Sequence, residues 1–288
     1  MIIKKVIIPV AGKGTRFLPI TKSIPKEMLP IVDTPCVQFL VEEAIKSGVE
    51  EIILVINKDK ENIKNYFSPN SELKNLLKKS GKTKELKKLI ELEKIKKIKF
   101  VYQHTAKGDG DAILCAYDLI KNEEAFAVLF GDDIWDYKIP PLKQMIKTYE
   151  KYSSPVIALE KIGKKDSKKY GIIKIDKKIG NLFSIKTLIE KPNPASAPSN
   201  LGITGKYIIT KELLSAIKNA KSKTKDAEIR IIDGMIDYVK KNKIMGTLIE
   251  GERFDTGDKL GYLKACVHFG LKDKTLSTEF KKYLKNLK

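Results

Sequence analysis

The sequence of 288 residues predicts an α/β fold whose central sheet is mixed, mostly parallel and flanked by helices. In the first half of the chain, short runs rich in Ile and Val alternate with stretches of helical periodicity, which is the pattern of βαβ units. In the second half, strand patterns separated by polar turns precede helical patterns. No Pro- or Gly-rich linker separates the halves, so we expect one domain over residues 1–288.

Residues 1–153 carry the alternating pattern. Their β-branched apolar runs predict strands at Val6–Val10, Glu51–Ile56, Ile98–Tyr102 and Ala125–Phe130. A helix is predicted after Pro35, because apolar residues recur there at helical spacing until Gly48.

A Lys- and Glu-rich excursion interrupts this half at residues 71–99. Leu and Ile recur within it every three or four residues and Gly81 breaks the run, which predicts a pair of amphipathic helices. The pair is either a subunit-contact arm or a solvated segment that packs on its own domain, and the sequence favours neither.

The second half, residues 154–256, begins with strand patterns. Strands are predicted at Gly171–Ile175, Leu182–Ile189 and Ile203–Ile209, and helices at Lys211–Asn219 and Ala227–Lys241. The last segment, residues 257–288, has a helical pattern, and the chain contains no hexapeptide repeats that would predict a left-handed β-helix.

The net charge of +20 at pH 7 raises the question of a nucleic-acid partner. Only three of the 56 basic residues are arginine, whose planar fork suits phosphates and bases, and the lysines are spread over every predicted helix. We therefore expect no nucleic-acid partner, and a nucleic-acid binder driven by net charge stays an alternative.

The apolar runs are of strand length, the N-terminus lacks a secretory pattern, and the three cysteines are widely spaced. We expect no membrane partner and a cytoplasmic location.

A Gly-rich loop follows the first predicted strand. The small residues Ala11, Gly12 and Gly14 allow backbone N–H groups to approach phosphate oxygens. Arg16 and Lys26 add positive charge at the same place. The glycine spacing matches neither GxxxxGK[ST] nor GxGxxG, so a kinase-type loop and a dinucleotide fingerprint are poor interpretations. The loop by itself predicts only that a phosphate-bearing nucleotide binds near residue 12.

The stretch from Ile8 to Pro35 resembles the bacterial UTP–glucose-1-phosphate uridylyltransferases. It contains their Gly-x-Gly-Thr-Arg loop, and its segment TKSIPKEMLP at residues 21–30 distinguishes it from the related thymidylyl-, cytidylyl- and adenylyltransferases. Further motifs of this family follow in the family's order along nearly all of the chain. They are Gln103 with Ala106–Gly108, Gly131–Asp133, Tyr170–Gly171, Glu190–Pro192, Ala197–Asn200, Asp255–Gly257 and Lys259–Tyr262.

The resemblance implies a Rossmann-like nucleotidyltransferase fold and a role for each motif. Residues 1–153 are the implied nucleotide-binding half, residues 154–256 the sugar-binding half and residues 257–288 the C-terminal helices. The implied nucleotide contacts are Ala11, Gly12, Gly14, Thr15, Glu27, Gln103 and Gly108. The implied sugar-phosphate contacts are Gly171, Glu190 and Lys191, and the implied catalytic cations are Arg16, Lys26 and Lys191. Asp132 is the implied ligand of Mg²⁺. Asp255 is either a second ligand of the metal or the first residue of an Asx-type turn before a predicted helix at Lys259–Phe269, and both interpretations stay open.

The family resemblance implies that Gln103 selects uracil. Its side-chain amide can donate and accept, so it can match both the carbonyl and the N–H of the uracil edge. An amide that faces the wrong base would be left without a partner, which costs affinity.

The implied reaction joins UTP and glucose 1-phosphate into UDP-glucose and pyrophosphate. The attacking phosphate oxygen is already anionic at neutral pH, so the reaction needs no general base, and catalysis depends on alignment and charge neutralisation. Two alternatives stay open. One is dTTP or another hexose 1-phosphate on the same scaffold, and the other is a non-catalytic regulatory protein that binds nucleotide sugars. Family members commonly form dimers or tetramers, so we expect a homodimer or homotetramer.

Three residues depart from the family pattern. Asp111 stands where a His is usual, Arg230 where a Gln is usual, and Lys206 where an Arg is common. The first two bear on fine substrate preference and metal dependence rather than on the reaction class.

Overall fold

The computed structural model describes residues 3–95, 97–220 and 228–287. Their strands are β1 (Lys5–Pro9), β2 (Pro30–Ile31), β3 (Thr34–Pro35), β4 (Glu51–Ile56), β5 (Ile98–Tyr102), β6 (Ala125–Leu129), β7 (Asp133–Asp136), β8 (Val156–Lys161), β9 (Gly171–Ile179), β10 (Leu182–Glu190), β11 (Leu201–Thr210), β12 (Met245–Leu248) and β13 (Glu252–Asp255). Their helices are α1 (Cys36–Lys46), α2 (Glu61–Phe67), α3 (Ser71–Lys79), α4 (Thr83–Glu93), α5 (Asp109–Cys115), α6 (Tyr117–Ile120), α7 (Pro141–Tyr152), α8 (Lys211–Asn219), α9 (Ile231–Tyr238), α10 (Lys259–Lys272) and α11 (Ser277–Lys285).

Nine strands form one central sheet in the order β5-β4-β1-β6-β11-β8-β12-β10-β9. The pairs β5–β4, β4–β1, β1–β6 and β8–β12 are parallel, whereas β11 is antiparallel to both of its neighbours and β10 to both of its own. The predicted mixed sheet with flanking helices is confirmed. Four of the eight neighbouring pairs in this order are parallel, and three of these four join strands from the first half of the chain, whereas β9 and β10 form an antiparallel hairpin. The sheet is therefore less parallel than the sequence predicts.

The elements predicted from periodicity are present with small shifts at their ends. The strands β4 and β5 and the helix α8 have the predicted bounds. The excursion forms the predicted pair of helices, α3 and α4, with a break at Gly81, which adopts a φ of +68°. The helix predicted from Ala227 begins outside the described residues, and the structure places α9 at Ile231–Tyr238. The division into nucleotide and sugar halves stays a prediction.

Helices cover both faces of the sheet, and each face has its own apolar core. α1, α2 and α7 pack on one face, whereas α5, α8 and α9 pack on the other. Alternation along β1 supplies both cores, because Val6 and Ile8 belong to the first and Ile7 to the second. Every helix within the described ranges is too short or too polar to span a bilayer.

A buried lysine ties the first core to the sheet. Lys206 on β11 is fully buried, and its Nζ donates to Oε2 of Glu43 on α1 and to the carbonyl oxygen of Asp133, both at 2.9 Å. Oε1 of the same Glu43 accepts from the backbone N–H of Leu142 at the start of α7 (3.0 Å). One carboxylate therefore links α1, α7 and β11, and its charge is compensated only while Lys206 is present.

Substitution of Lys206 by Met, which has a similar length and no charge, should lower the free energy of unfolding by about 3–5 kcal/mol, because Glu43 is left as an unpaired buried charge. Urea denaturation followed by circular dichroism measures this change. Lys147→Met on the exposed side of α7 is the matched control and should change stability by no more than about 0.5 kcal/mol. Equal stability of the two variants would contradict the proposed role of Lys206.

Candidate active site

Four loops meet where the parallel strands β1, β4, β5 and β6 end. The chain winds outward from β1 to β4 and β5, and then returns to add β6 on the other side of β1. Open α/β sheets bind ligands at such a reversal, beyond the carboxyl ends of the strands. Two adjoining cavities lie here and share the residues Asp109, Phe130 and Asp132.

The first cavity, which we call the loop cavity, has a volume of about 270 Å³. It is lined by the Gly-rich loop, by the segment after β5 and by the end of β6. Six of the sequence-predicted nucleotide and phosphate residues contribute to its wall together with Asp132: Ala11, Gly12, Lys26, Glu27, Gln103 and Gly108.

The second cavity, which we call the hairpin cavity, has a volume of about 290 Å³ and lies beside β9, β10 and β11. Its wall contains Arg16, the three sugar residues predicted from the sequence and both predicted metal ligands. These residues are Gly171, Glu190, Lys191, Asp132 and Asp255. A larger cavity of about 400 Å³ lies between Asp136, Gln144 and Lys272, but it contains none of the predicted site residues.

Gly14 and Thr15 line neither cavity and instead shape the loop. Gly14 has a φ of +64°, and a Cβ there would lie 3.2 Å from Cγ2 of Thr21 and 3.3 Å from Cβ of Lys26. The hydroxyl of Thr21 donates to the Gly14 carbonyl oxygen (2.9 Å). The turn therefore requires a residue without a side chain, and it brings Lys26 back towards the loop.

Two polar residues that follow β4 hold the Gly-rich loop in place, and neither was predicted from the sequence. Asn57 donates from Nδ2 to the carbonyl oxygen of Ala11 (2.7 Å). Nζ of buried Lys60 donates to the Val10 carbonyl oxygen and to Oε2 of Glu27, both at 2.6 Å. Glu27 is thus compensated within the protein, so it holds the loop in shape as well as lining the cavity.

Lys26 and Asp132 form an ion pair at the wall between the two cavities. Nζ of Lys26 lies 2.6 Å from Oδ2 of Asp132, whose side chain keeps 27% of its exposure. Burial raises the pKa of Asp132, but the charge and hydrogen bond of Lys26 outweigh it, so the pKa lies below its ordinary value. Asp132 is therefore ionised at neutral pH.

Asp255 lies beside Asp132, although the two are far apart in sequence. A Cβ at Gly257 would collide with Oδ2 of Asp132 and lie 3.1 Å from Oδ1 of Asp255, so both carboxylates flank the same backbone atom. Burial and the negative charge of Asp132 raise the pKa of Asp255. A cation between the two groups would relieve this repulsion.

The donor set of this pair fits Mg²⁺. Mg²⁺ prefers oxygen ligands and in phosphate-transfer sites is held by one or two carboxylates, with waters and substrate oxygens completing the octahedron. Within residues 3–95, 97–220 and 228–287, no three acidic, His or Cys side chains converge on one point. Asp132 and Asp255 thus fit as ligands of Mg²⁺ by the chemistry of their oxygens. Oδ1 of Asp255 also accepts from the Gly257 N–H (3.0 Å), the contact of an Asx-type turn, so the two interpretations of Asp255 are compatible.

Glu190 and Lys191 stand at the end of β10, where the hairpin cavity opens. Lys191 has a φ of +45°, which is unusual for a residue with a side chain, and its N–H donates to the Tyr170 carbonyl oxygen (3.1 Å). This conformation ends the strand and leaves the Lys191 side chain 58% exposed, 3.2 Å from Glu190. Its charge is accessible to a ligand.

Arg253 and Asp133 support the floor of the hairpin cavity and were not predicted as site residues. Nε of Arg253 pairs with Oδ1 of Asp133, and its Nη1 contacts Oε2 of Glu160 (3.3 Å) and the hydroxyl of Tyr170 (3.2 Å). The only signal in the sequence was that Arg253 is one of three arginines. Its partners lie on other strands and could not be identified from sequence.

Asp109 is a further site residue that sequence reasoning missed. It lines both cavities, and its Oδ1 accepts from the N–H of Ile231 at the start of α9 (2.9 Å). Burial raises its pKa from 3.8 to about 6. Arg230, the residue before α9, lies in the same wall and pairs with Glu228 (3.0 Å).

Proteins of similar sequence are nucleotidyl transferases. The sequence matches the nucleotidyl transferase family over residues 5–269. It is 38% identical over 285 residues to the UTP–glucose-1-phosphate uridylyltransferase YngB of Bacillus subtilis (strain 168), over 99% of this chain and 95% of that protein. It is 40% identical over 285 residues to a UTP–glucose-1-phosphate uridylyltransferase of Staphylococcus epidermidis (strain ATCC 12228 / FDA PCI 1200), over 99% of this chain and 98% of that protein.

Solved structures of similar fold include proteins named UGPase and UDP-glucose pyrophosphorylase. The UTP-bound UGPase from Acinetobacter baumannii has a TM-score of 0.91 at 34% identity, over 100% of both chains. A UDP-glucose pyrophosphorylase complexed with UDP-glucose has a TM-score of 0.83 at 37% identity, over 94% of this chain and 100% of that chain.

The raised pKa of Asp109 predicts a pH dependence of stability. Because the folded chain binds this proton more tightly than the unfolded chain, stability contributed by protonated Asp109 is lost as the pH rises from about 4 to about 6. Over this range, the free energy of unfolding of wild type should fall by about 1–3 kcal/mol relative to that of Asp109→Asn. The asparagine keeps an acceptor for the Ile231 N–H and carries no charge. Urea denaturation at several pH values measures the difference, and parallel profiles would contradict the assignment. Asp109→Ala, which removes the acceptor, should be less stable than Asp109→Asn throughout.

Proposed function

The chain belongs to the nucleotidyl transferase family, and we propose that it transfers the uridylyl group of UTP to glucose 1-phosphate, giving UDP-glucose and pyrophosphate. The observation that carries the proposal is that the loop cavity and the hairpin cavity meet at Asp132. Two substrates held in these cavities would bring their phosphates to the same carboxylate. The names of the relatives, UTP–glucose-1-phosphate uridylyltransferase, support this choice of substrates.

The nucleotide would occupy the loop cavity. The small residues Ala11 and Gly12 leave room for phosphate oxygens beside the backbone, and a Cβ at Gly12 would meet no protein atom within 4 Å. Gln103 and Gly108 line the same cavity, and the base would be recognised beside them. Lys26 lies at the junction and would neutralise the triphosphate.

The sugar phosphate would occupy the hairpin cavity. The carboxylate of Glu190 can accept hydrogen bonds from glucose hydroxyls, and the exposed ammonium of Lys191 can hold the phosphate. Arg16 enters the same cavity, and its Nη1 donates to the Gly257 carbonyl oxygen (3.3 Å). Because Gly257 lies beside Asp132 and Asp255, this contact holds one end of the exposed guanidinium near the two carboxylates.

The reaction would be an in-line displacement. A phosphate oxygen of glucose 1-phosphate attacks the α-phosphorus of UTP, a new P–O bond forms, and the bond to the bridging oxygen breaks so that pyrophosphate leaves with its electron pair. The attacking oxygen carries no proton at neutral pH, so this chain's residues need only align the two phosphates and neutralise their charge. Mg²⁺ held by Asp132 and Asp255 would supply further neutralisation of phosphate oxygens.

Assembly into a homodimer or homotetramer, and a cytoplasmic location, stay predictions. The arm formed by α3 and α4 presents Leu73, Leu76 and Ile90 to solvent, which supports a contact with a second subunit.

Release of pyrophosphate from defined substrate pairs tests the proposed function. UTP with glucose 1-phosphate should give the highest kcat/KM, above dTTP with glucose 1-phosphate and above UTP with galactose 1-phosphate. A higher value for either alternative pair would replace the substrate assignment. No release with any pair, together with intact binding of UDP-glucose, would favour the non-catalytic interpretation.

Removal of either exposed cation should slow the reaction without unfolding the protein. Lys191→Ala and Arg16→Ala should each lower kcat/KM by about 10²–10³, because each cation is proposed to offset charge on the reacting phosphates. Lys13→Ala is the matched control, since Lys13 is exposed in the same loop but lines neither cavity. Near-normal turnover in both site variants would contradict the proposed roles.

The rate should depend on Mg²⁺ through the two aspartates. EDTA should abolish pyrophosphate release and added Mg²⁺ should restore it. Asp132→Asn and Asp255→Asn should each raise the Mg²⁺ concentration needed for half the maximal rate by tenfold or more, about the effect of one lost carboxylate ligand. Asp118→Asn, an exposed aspartate outside both cavities, is the control. An unchanged Mg²⁺ requirement in both site variants would contradict the proposed ligand pair.

A further inference from the structure

Gln103 and Asp111 form a hydrogen bond in the wall of the loop cavity. Nε2 of Gln103 donates to Oδ2 of Asp111 at 2.7 Å and to the carbonyl oxygen of Gly108 at 3.2 Å. A primary amide nitrogen carries two hydrogens, so these two contacts use both of its donors. Both partners are oxygens that can only accept, because Asp111 is a carboxylate and Gly108 offers a backbone carbonyl.

This pairing fixes the orientation of the Gln103 amide. The reversed orientation would place Oε1 against two acceptor oxygens and would lose two hydrogen bonds in a side chain that is only 7% exposed. Within the described part of the chain, no donor bonds to Oε1, and the residue lines the loop cavity. The expectation that Gln103 both donates to and accepts from the base is therefore corrected. Its donors are used inside the protein, and only the acceptor is left for a ligand.

The two partners are themselves held in place. Gly108 has a φ of +100°, and a Cβ there would collide with the carbonyl oxygen of Ile229, so the backbone path at this point requires glycine. Asp111 lies in the first turn of α5, and among the described residues its side chain is hydrogen-bonded only by Gln103. A hydrogen bond to an ionised carboxylate is stronger than one between neutral groups.

We propose that Asp111 is a positioning residue for nucleotide selection: it holds the Gln103 amide with its oxygen towards the base, and the site thereby prefers uracil over cytosine. This inference rests on the proposed function, which places the base in the loop cavity. Uracil and thymine carry a hydrogen on N3 that can donate to Oε1. Cytosine has a lone pair at N3, so the same oxygen would repel it.

Asp111→Asn tests the inference because it changes the chemistry and keeps the shape. The asparagine amide can donate to Oε1 of Gln103, so the substitution removes the nearer of the two acceptors that oppose the reversed orientation and makes that orientation less costly. Affinities for UTP and CTP are measured by calorimetry, and kcat/KM for each is measured with glucose 1-phosphate. Wild type should prefer UTP, and Asp111→Asn should lower the UTP-to-CTP ratio by about tenfold in both measurements, the effect of one hydrogen bond to a charged group.

The ratio separates a positioning role from a merely structural one. A loss of local structure, or removal of a negative charge near the nucleotide, would change UTP and CTP binding by a similar factor, and the ratio would stay constant. Asp111→Glu keeps an acceptor-only group and should retain most of the preference for UTP. Asp118→Asn on α6 removes a charge from an exposed position and should keep the wild-type ratio.

The outcomes distinguish this inference from the proposed function. The inference is overturned if the UTP-to-CTP ratio of Asp111→Asn stays within twofold of wild type, or if Asp111→Glu lowers that ratio as much as Asp111→Asn does. In either case, turnover by wild type would still support the proposed function. Absence of pyrophosphate release by wild type overturns the proposed function, and the binding ratio then still decides the role of Asp111. Absence of UTP binding by wild type overturns both.

Discussion

The ion pair between Asp133 and Arg253 sets the geometry on which the site depends. It joins β7 to β13, in the register that pairs Asp133 with Asp255. Because Asp132 immediately precedes β7 and Asp255 ends β13, this register places the two carboxylates side by side. Asp133 is buried, and its negative charge is compensated by Lys206 as well as by Arg253. A shift of either strand would therefore leave a buried charge without its partner.

The same principle extends through the rest of the site. Three carboxylates in or near the site each have a fixed cation: Lys60 for Glu27, Lys26 for Asp132 and Lys206 for Glu43. These pairs join segments that are distant in sequence, so the charges are already oriented before a substrate arrives. Electrostatic catalysis benefits from such preorganisation, because the protein does not have to reorganise while charge moves between phosphates.

Under the proposed function, selection and catalysis would be carried by different kinds of groups. The cations Lys26, Arg16 and Lys191 surround the position where phosphates would meet, and charge alone does not distinguish one base from another. The base would instead face a neutral amide, that of Gln103, whose orientation depends on its neighbours. A change of base preference can therefore arise from Asp111 without any change in the phosphate-binding residues.

The sequence by itself determined the strands β1, β4, β5 and β6, because each is a short β-branched run with distinct boundaries. The order of its motifs also identified loops that the structure brings together around the two cavities. It could not decide how far the parallel pairing extends, since the antiparallel place of β11 between β6 and β8 depends on tertiary contacts. The tertiary structure alone also identified Asn57, Lys60 and Arg253, which act through partners far along the chain. It alone assigned the hydrogens of the Gln103 amide, because a side chain that can donate and accept is defined only by what surrounds it.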